Sequence, residues 1–107
     1  MNPELIRDQI MSYQLELLKV PKAQYDAELI REQARLDYQK KLDIAFLLTE
    51  GNIEERKATA RQKAEELEDA LVKAKAEFNR ITTKHDILKI SLGACQSLLK
   101  SIQAEGA

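Results

Sequence analysis

The sequence predicts an all-α protein: an elongated helical hairpin or coiled coil, two shorter helices antiparallel to one long C-terminal helix, that oligomerises. Three observations point there. Ala60, Ala64, Leu67, Leu71, Ala74, Phe78, Ile81, His85, Leu88, Leu92, Cys95, Leu99 and Ile102 follow one another in alternating steps of four and three. That rhythm holds one narrow stripe toward a partner helix. Gly51, Asn52 and Glu55 place a helix stop and a helix start side by side, so the chain must turn back on itself. Charged residues make up 33% of the chain and aromatic ones 5%, with Gly 3 and Pro 2, a balance suited to long helices with solvated faces.

The first helix is expected at about residues 2–19. Asn2 is a good N-cap, and Pro3 occupies the first helical position, where a missing N–H costs nothing. Ile6, Ile10, Tyr13, Leu17 and Val20 mark its inner stripe, and Leu5, Met11 and Leu18 widen the apolar region. Pro21 disfavours a helical Val20 and lacks an N–H, so a kink or short break is expected there. The second helix, about 21–49, is apolar on two sides. Helical spacing gathers Ala27, Ile30, Ala34, Tyr38, Leu42, Ala45 and Leu48 on one, and Tyr25, Leu29, Leu36 and Leu47 nearly opposite. The first is the natural partner of the long seam. The second lacks obvious cover, which points to self-association. After a turn at 50–52, the third helix runs over about 53–103, bent by Gly93 and frayed beyond Gln103. The first two helices together reach about 70 Å, close to the length of the third.

At 107 residues the chain makes one domain, 1–107. A formal net charge of -1 excludes a broadly basic protein, so any nucleic-acid surface must come from local clustering. A single Cys, set on the seam, suits a reducing compartment. No apolar run approaches the ~20 residues of a membrane span, and no basic leader precedes an apolar core. A soluble, cytoplasmic protein without a membrane partner is expected. His85 and Cys95 both sit on the seam and read as packing or register residues. There is no Gly-rich phosphate loop. No catalytic residue, metal or cofactor is expected, and the protein reads as a non-enzyme. The acidic run Glu65, Glu66, Glu68 and Asp69 is expected to face Arg31 and Arg35 as a solvated ion-pair surface.

The basic residues carry the main functional signal. Arg56, Lys57, Arg61 and Lys63 follow the turn, and folding the hairpin brings Lys40 and Lys41 alongside, with Arg31 and Arg35 further along. Such a group suits a phosphate backbone, with Tyr38 as a nearby ring. The plainer reading is a solvated helical surface. It leads to a coiled-coil adaptor or scaffold that binds another protein and no nucleic acid. A third reading, an inhibitor mimicking DNA with acidic helices, fits poorly with evenly mixed charges.

Ala34-Arg35-Leu36-Asp37-Tyr38 resembles a run found late in a hairpin helix of the UvsY family of phage recombination mediators. Ile87-Leu88, Gly93-Ala94 and Lys100-Ser101 are similar to the family's C-terminal segment, and the general layout matches over most of the chain. The resemblance implies a homo-oligomer, ring-like in that family, that binds single-stranded DNA. It also implies help to a RecA-type recombinase in displacing single-strand-binding protein, in the host bacterial cytoplasm if the chain is phage-encoded. The family's C-terminal oligomerising helix would correspond to the segment carrying Leu88, Leu92, Leu99 and Ile102, with Tyr25, Leu29 and Leu36 as further contacts. A Lys and an Arg one residue apart contribute to DNA binding in that family. The Arg corresponds to Arg35, whereas Gln33 stands where the Lys would be.

Overall fold

The computed structural model describes residues Asn2–Gly106. It is all-α, with α1 at Pro3–Leu48, α2 at Ile53–Lys63 and α3 at Glu65–Gly106. The chain forms two compact units, Met1–Gln24 with Arg80–Ala107, and Tyr25–Asn79.

In the first unit the start of α1 pairs with the end of α3. Ile6, Val20, Ile81 and Leu88 are buried between them. Ile10, Tyr13, Leu17, His85, Leu92, Cys95, Leu99 and Ile102 are half-buried along the same line. The polar contacts fix the direction: Cys95 Sγ donates to Gln9 Oε1 at 3.7 Å, and Lys84 Nζ lies 3.7 Å from Glu16 Oε2. Partner numbers fall on one helix as they rise on the other, so the pair is antiparallel. Lys19 Nζ also donates to Glu16 at 3.2 Å. That hydrogen bond first, then the charges of Lys19 and Lys84, hold the Glu16 carboxyl below its ordinary range. A carboxyl with a lowered folded-state pKa stabilises the fold above its unfolded value, 4.5, and loses that contribution as pH falls through the folded value. Glu16→Gln is therefore expected to lower the denaturation midpoint slightly near pH 7. The variant and the parent should coincide at about pH 2, where both side chains are neutral. Urea titrations at the two pH values check this.

The second unit is a helical hairpin. Arg31 stacks on Phe78 with its guanidinium carbon 4.1 Å from the ring centroid, and Arg56 stacks likewise on Phe46 at 4.2 Å. Gly51 ends the first arm with φ 120°, a conformation that L side chains rarely adopt. Asn52, at φ −76° and ψ 171°, caps α2 by accepting from the Glu55 N–H at 2.8 Å. The Asn52 side-chain amide in turn donates to Glu55 Oε1 at 3.1 Å, a side-chain version of the expected capping box. Arg56 closes the turn from the far side, donating from Nε and a terminal nitrogen to the Phe46 carbonyl at 3.1 and 2.9 Å. Phe46 belongs to the last turn of α1, so these bonds satisfy a carbonyl that the helix leaves open.

Every residue of the expected long seam is buried or half-buried. On α1, Ala27, Ala34, Tyr38, Leu42 and Ala45 also turn inward, but Ile30 and Leu48 are exposed. Arg31 and Thr49 hold the inner positions instead, because the steps from Ala27 run four, three, four to Tyr38 and close four past Ala45. Arg31 covers that place with its aliphatic stem and the Phe78 stack, and Thr49 Oγ1 donates to the Ala45 carbonyl at 2.6 Å.

Two boundaries differ from the sequence expectation. The helices expected at 2–19 and 21–49 form one helix, which runs through Pro21 without a break. Pro21 is exposed while Val20 before it and Ala27 after it are buried. Packing of one inner stripe on both sides of the proline outweighs a local cost of about 3 kcal/mol. The expected third helix instead divides at Ala64, which takes φ −95° and ψ 4°. Helical bonding carries across the joint: the Ala64 N–H donates to the Ala60 carbonyl at 3.0 Å, and the Glu68 N–H to the Ala64 carbonyl at 2.9 Å. α3 then continues through Gly93 and past Gln103 to Gly106.

Candidate nucleic-acid interface

The buried residues of the second unit are Ala27, Ala45, Ala60, Ala64, Leu71 and Ala74. Small side chains let two backbones approach closely, but each buries little apolar area. The large apolar side chains Tyr25, Leu29, Ile30, Leu36, Ile44, Leu47 and Leu48 lie outside. Such a surface suits self-association or a protein partner.

A cleft on one side of the hairpin, about 260 Å³ in volume, is lined by Arg31, Glu32, Arg35, Leu71, Lys75 and Asn79. Three cations and one carboxylate meet around an apolar floor. Arg35 donates from Nε and a terminal nitrogen to Glu32 Oε2 at 3.1 and 3.0 Å. Both partners are about half exposed, at 54% and 47%, so the pair contributes little and exchanges readily with another anion. Lys75 has no hydrogen bond or ion pair among the described residues. The acidic run expected opposite Arg31 and Arg35 is not their partner. The hairpin register sets Arg31 against Phe78, so both arginines face 71–79 rather than Glu65, Glu66, Glu68 and Asp69.

The other expected basic residues do not share this cleft. Lys40 and Lys41 line a groove on another part of the hairpin, with Asp37, Ile44 and Leu67. Ile30, Gln33, Ala34 and Ala70 extend it through the shared Asp37 and Leu67. Arg56 is engaged at the α1 terminus. Lys57, Arg61 and Lys63 are exposed. Helical spacing puts Lys57 and Arg61 on one side of α2 and Lys63 well round from them. Gln33, where the family resemblance expects a Lys, donates to Asp37 Oδ1 at 2.8 Å. Tyr38 is half-buried on the inner stripe, so the free ring in this unit is Tyr25.

Of the expected oligomer contacts, Tyr25, Leu29 and Leu36 are exposed on α1. Leu88 is buried, and Leu92, Leu99 and Ile102 are half-buried on the inner line of the first unit. They are occupied within the chain because they continue the same seam that pairs α3 with α1. The exposed apolar side chains of that part of α3 are Ile87, Ile90 and Leu98. Lys75 and Asn79 line the cleft and are not among the expected site residues. The available signal was Lys75 standing one helical turn beyond Leu71 on the seam. Among the described residues no helix is long and apolar enough to cross a membrane, and no three His, Cys, Asp or Glu side chains are grouped to hold a metal. No match to the chain was found among protein families, curated proteins or solved structures.

Proposed function

We propose that the chain is a non-enzymatic, self-assembling mediator protein. It binds single-stranded DNA and helps to load a RecA-type recombinase in place of single-strand-binding protein. The observation that carries this reading is the convergence of Arg31, Arg35 and Lys75 on one cleft, with Arg35 in the run that resembles the UvsY family. Phosphates would be held by the unpartnered Lys75 and by Arg35 exchanging its Glu32 bond, while Leu71 and Asn79 offer an apolar and an amide surface to sugar and base. Contacts of this type depend on charge and little on base sequence. A near-neutral protomer binds through few phosphate contacts, and repetition in an assembly makes up the affinity.

Arg35→Glu combined with Lys75→Glu tests the site. Single-strand affinity is expected to fall at least about tenfold, and the salt slope to flatten by about 1.4 for two lost phosphate contacts. Circular dichroism should stay unchanged, since both side chains are exposed. Unchanged affinity and slope in a folded variant would remove the cleft as the site. A second reading, a protein-only adaptor, is favoured by the exposed α1 face of Tyr25, Leu29, Leu36 and Leu47. It is supported if the folded protein binds no strand at low salt.

A further inference from the structure

The three cations of the cleft are held in different ways. Arg31 lies with its guanidinium carbon 4.1 Å from the centroid of the Phe78 ring, and makes no hydrogen bond or ion pair among the described residues. Lys75 has no polar partner there either. Arg35 differs. Its Nε and one terminal nitrogen both donate to a single oxygen, Glu32 Oε2, at 3.1 and 3.0 Å. Glu32 is the one anion lining the cleft. It stands three residues before Arg35 on the same helix, so the pair forms and parts by side-chain rotation, without movement of the backbone.

We infer that Glu32 regulates the cleft as a built-in competitor: it holds the place at Arg35 that a strand phosphate takes on binding, and is expelled when one enters. The inference rests on the reading of this cleft as the strand's phosphate site. The two N–H groups that Arg35 gives to Glu32 form the fork with which a guanidinium grips an oxyanion. A phosphate cannot use that fork while Glu32 occupies it, and a carboxylate left beside the phosphate would repel it. Both partners are about half exposed, at 54% and 47%, so the bond is weak and the competition lowers affinity by a small factor rather than closing the cleft. Arg31 and Lys75 carry no such competitor and form the constant part of the site. Arg35 is the adjustable part. Removing the Glu32 charge therefore strengthens strand binding. A carboxylate whose task was to hold Arg35 in position would have the opposite effect, because its removal would weaken binding.

Glu32→Gln in the full-length chain tests this, by anisotropy of a labelled oligothymidylate at one low salt concentration. The substitution keeps the size of the side chain and removes its charge. It is expected to bind the strand about fivefold more tightly than the parent. Asp43→Asn makes the same charge change at an exposed residue that does not line the cleft, and should stay within about twofold of the parent. In an Arg35→Gln background the gain from Glu32→Gln should shrink to about twofold or less, because no fork remains to compete for. Circular dichroism confirms that each variant is folded. If the parent binds and Glu32→Gln binds no more tightly, the inference is overturned while the strand-binding reading stands. An equal gain from Asp43→Asn, or an undiminished gain without Arg35, would also overturn it, by showing that overall charge alone matters. Absence of strand binding by both the parent and Glu32→Gln at low salt would remove the reading of the cleft, and the inference with it.

Discussion

Leu71→Ala is expected to lower the free energy of unfolding by about 2–3 kcal/mol, the largest effect of any single truncation in the second unit. Leu71 is 7% exposed and is the one large side chain among the buried residues of that hairpin. The other buried residues of that hairpin are alanines, which have no side-chain reach to refill the space. The lower part of the usual range applies because Leu71 also floors the Arg31–Lys75 cleft, so water enters part of the vacated volume. Against a typical domain stability of about 5–15 kcal/mol the loss is large. Urea denaturation followed by circular dichroism measures it. A change below about 0.5 kcal/mol would contradict the packing described.

Gly51→Ala comes next, at about 1–2 kcal/mol. Gly51 has φ 120°, which a side chain rarely adopts, and a Cβ placed there runs into the Glu55 carboxylate. That carboxylate accepts from the Asn52 side chain, so displacing it also weakens the α2 cap. The substitution acts on both ends of the turn at once. Thermal denaturation should show a lowered midpoint with little loss of helix in the folded state. Asn52→Gly is the informative comparison, because it loses the Asn52 cap while keeping a turn free of steric conflict.

The fold was legible where one kind of signal decided it. The seam from Ala60 to Ile102 needed only apolar spacing, and the turn needed only the short-range chemistry of Gly51, Asn52 and Glu55. Pro21 misled because a local preference was read where long-range packing governs: Val20 and Ala27 are buried on either side of it. The irregular geometry of Ala64 was invisible because alanine is the strongest helix former and shows no break. At the candidate site, helical phase alone could not separate Ile30 from Arg31 as the inward residue. A cation with an apolar stem competes well once Phe78 lies opposite. For the same reason the basic residues looked like one group along the sequence, yet Arg56 is used at a helix end and Lys40 and Lys41 line a separate groove.

The measurement that bears most directly on the proposed function is fluorescence anisotropy of a labelled single-stranded oligonucleotide titrated with the protein. It is run over a salt series and beside a duplex of the same sequence. The mediator reading predicts tighter binding to the single strand, weakening steeply as salt rises and varying little with base sequence. No binding at low salt by the folded protein would contradict it.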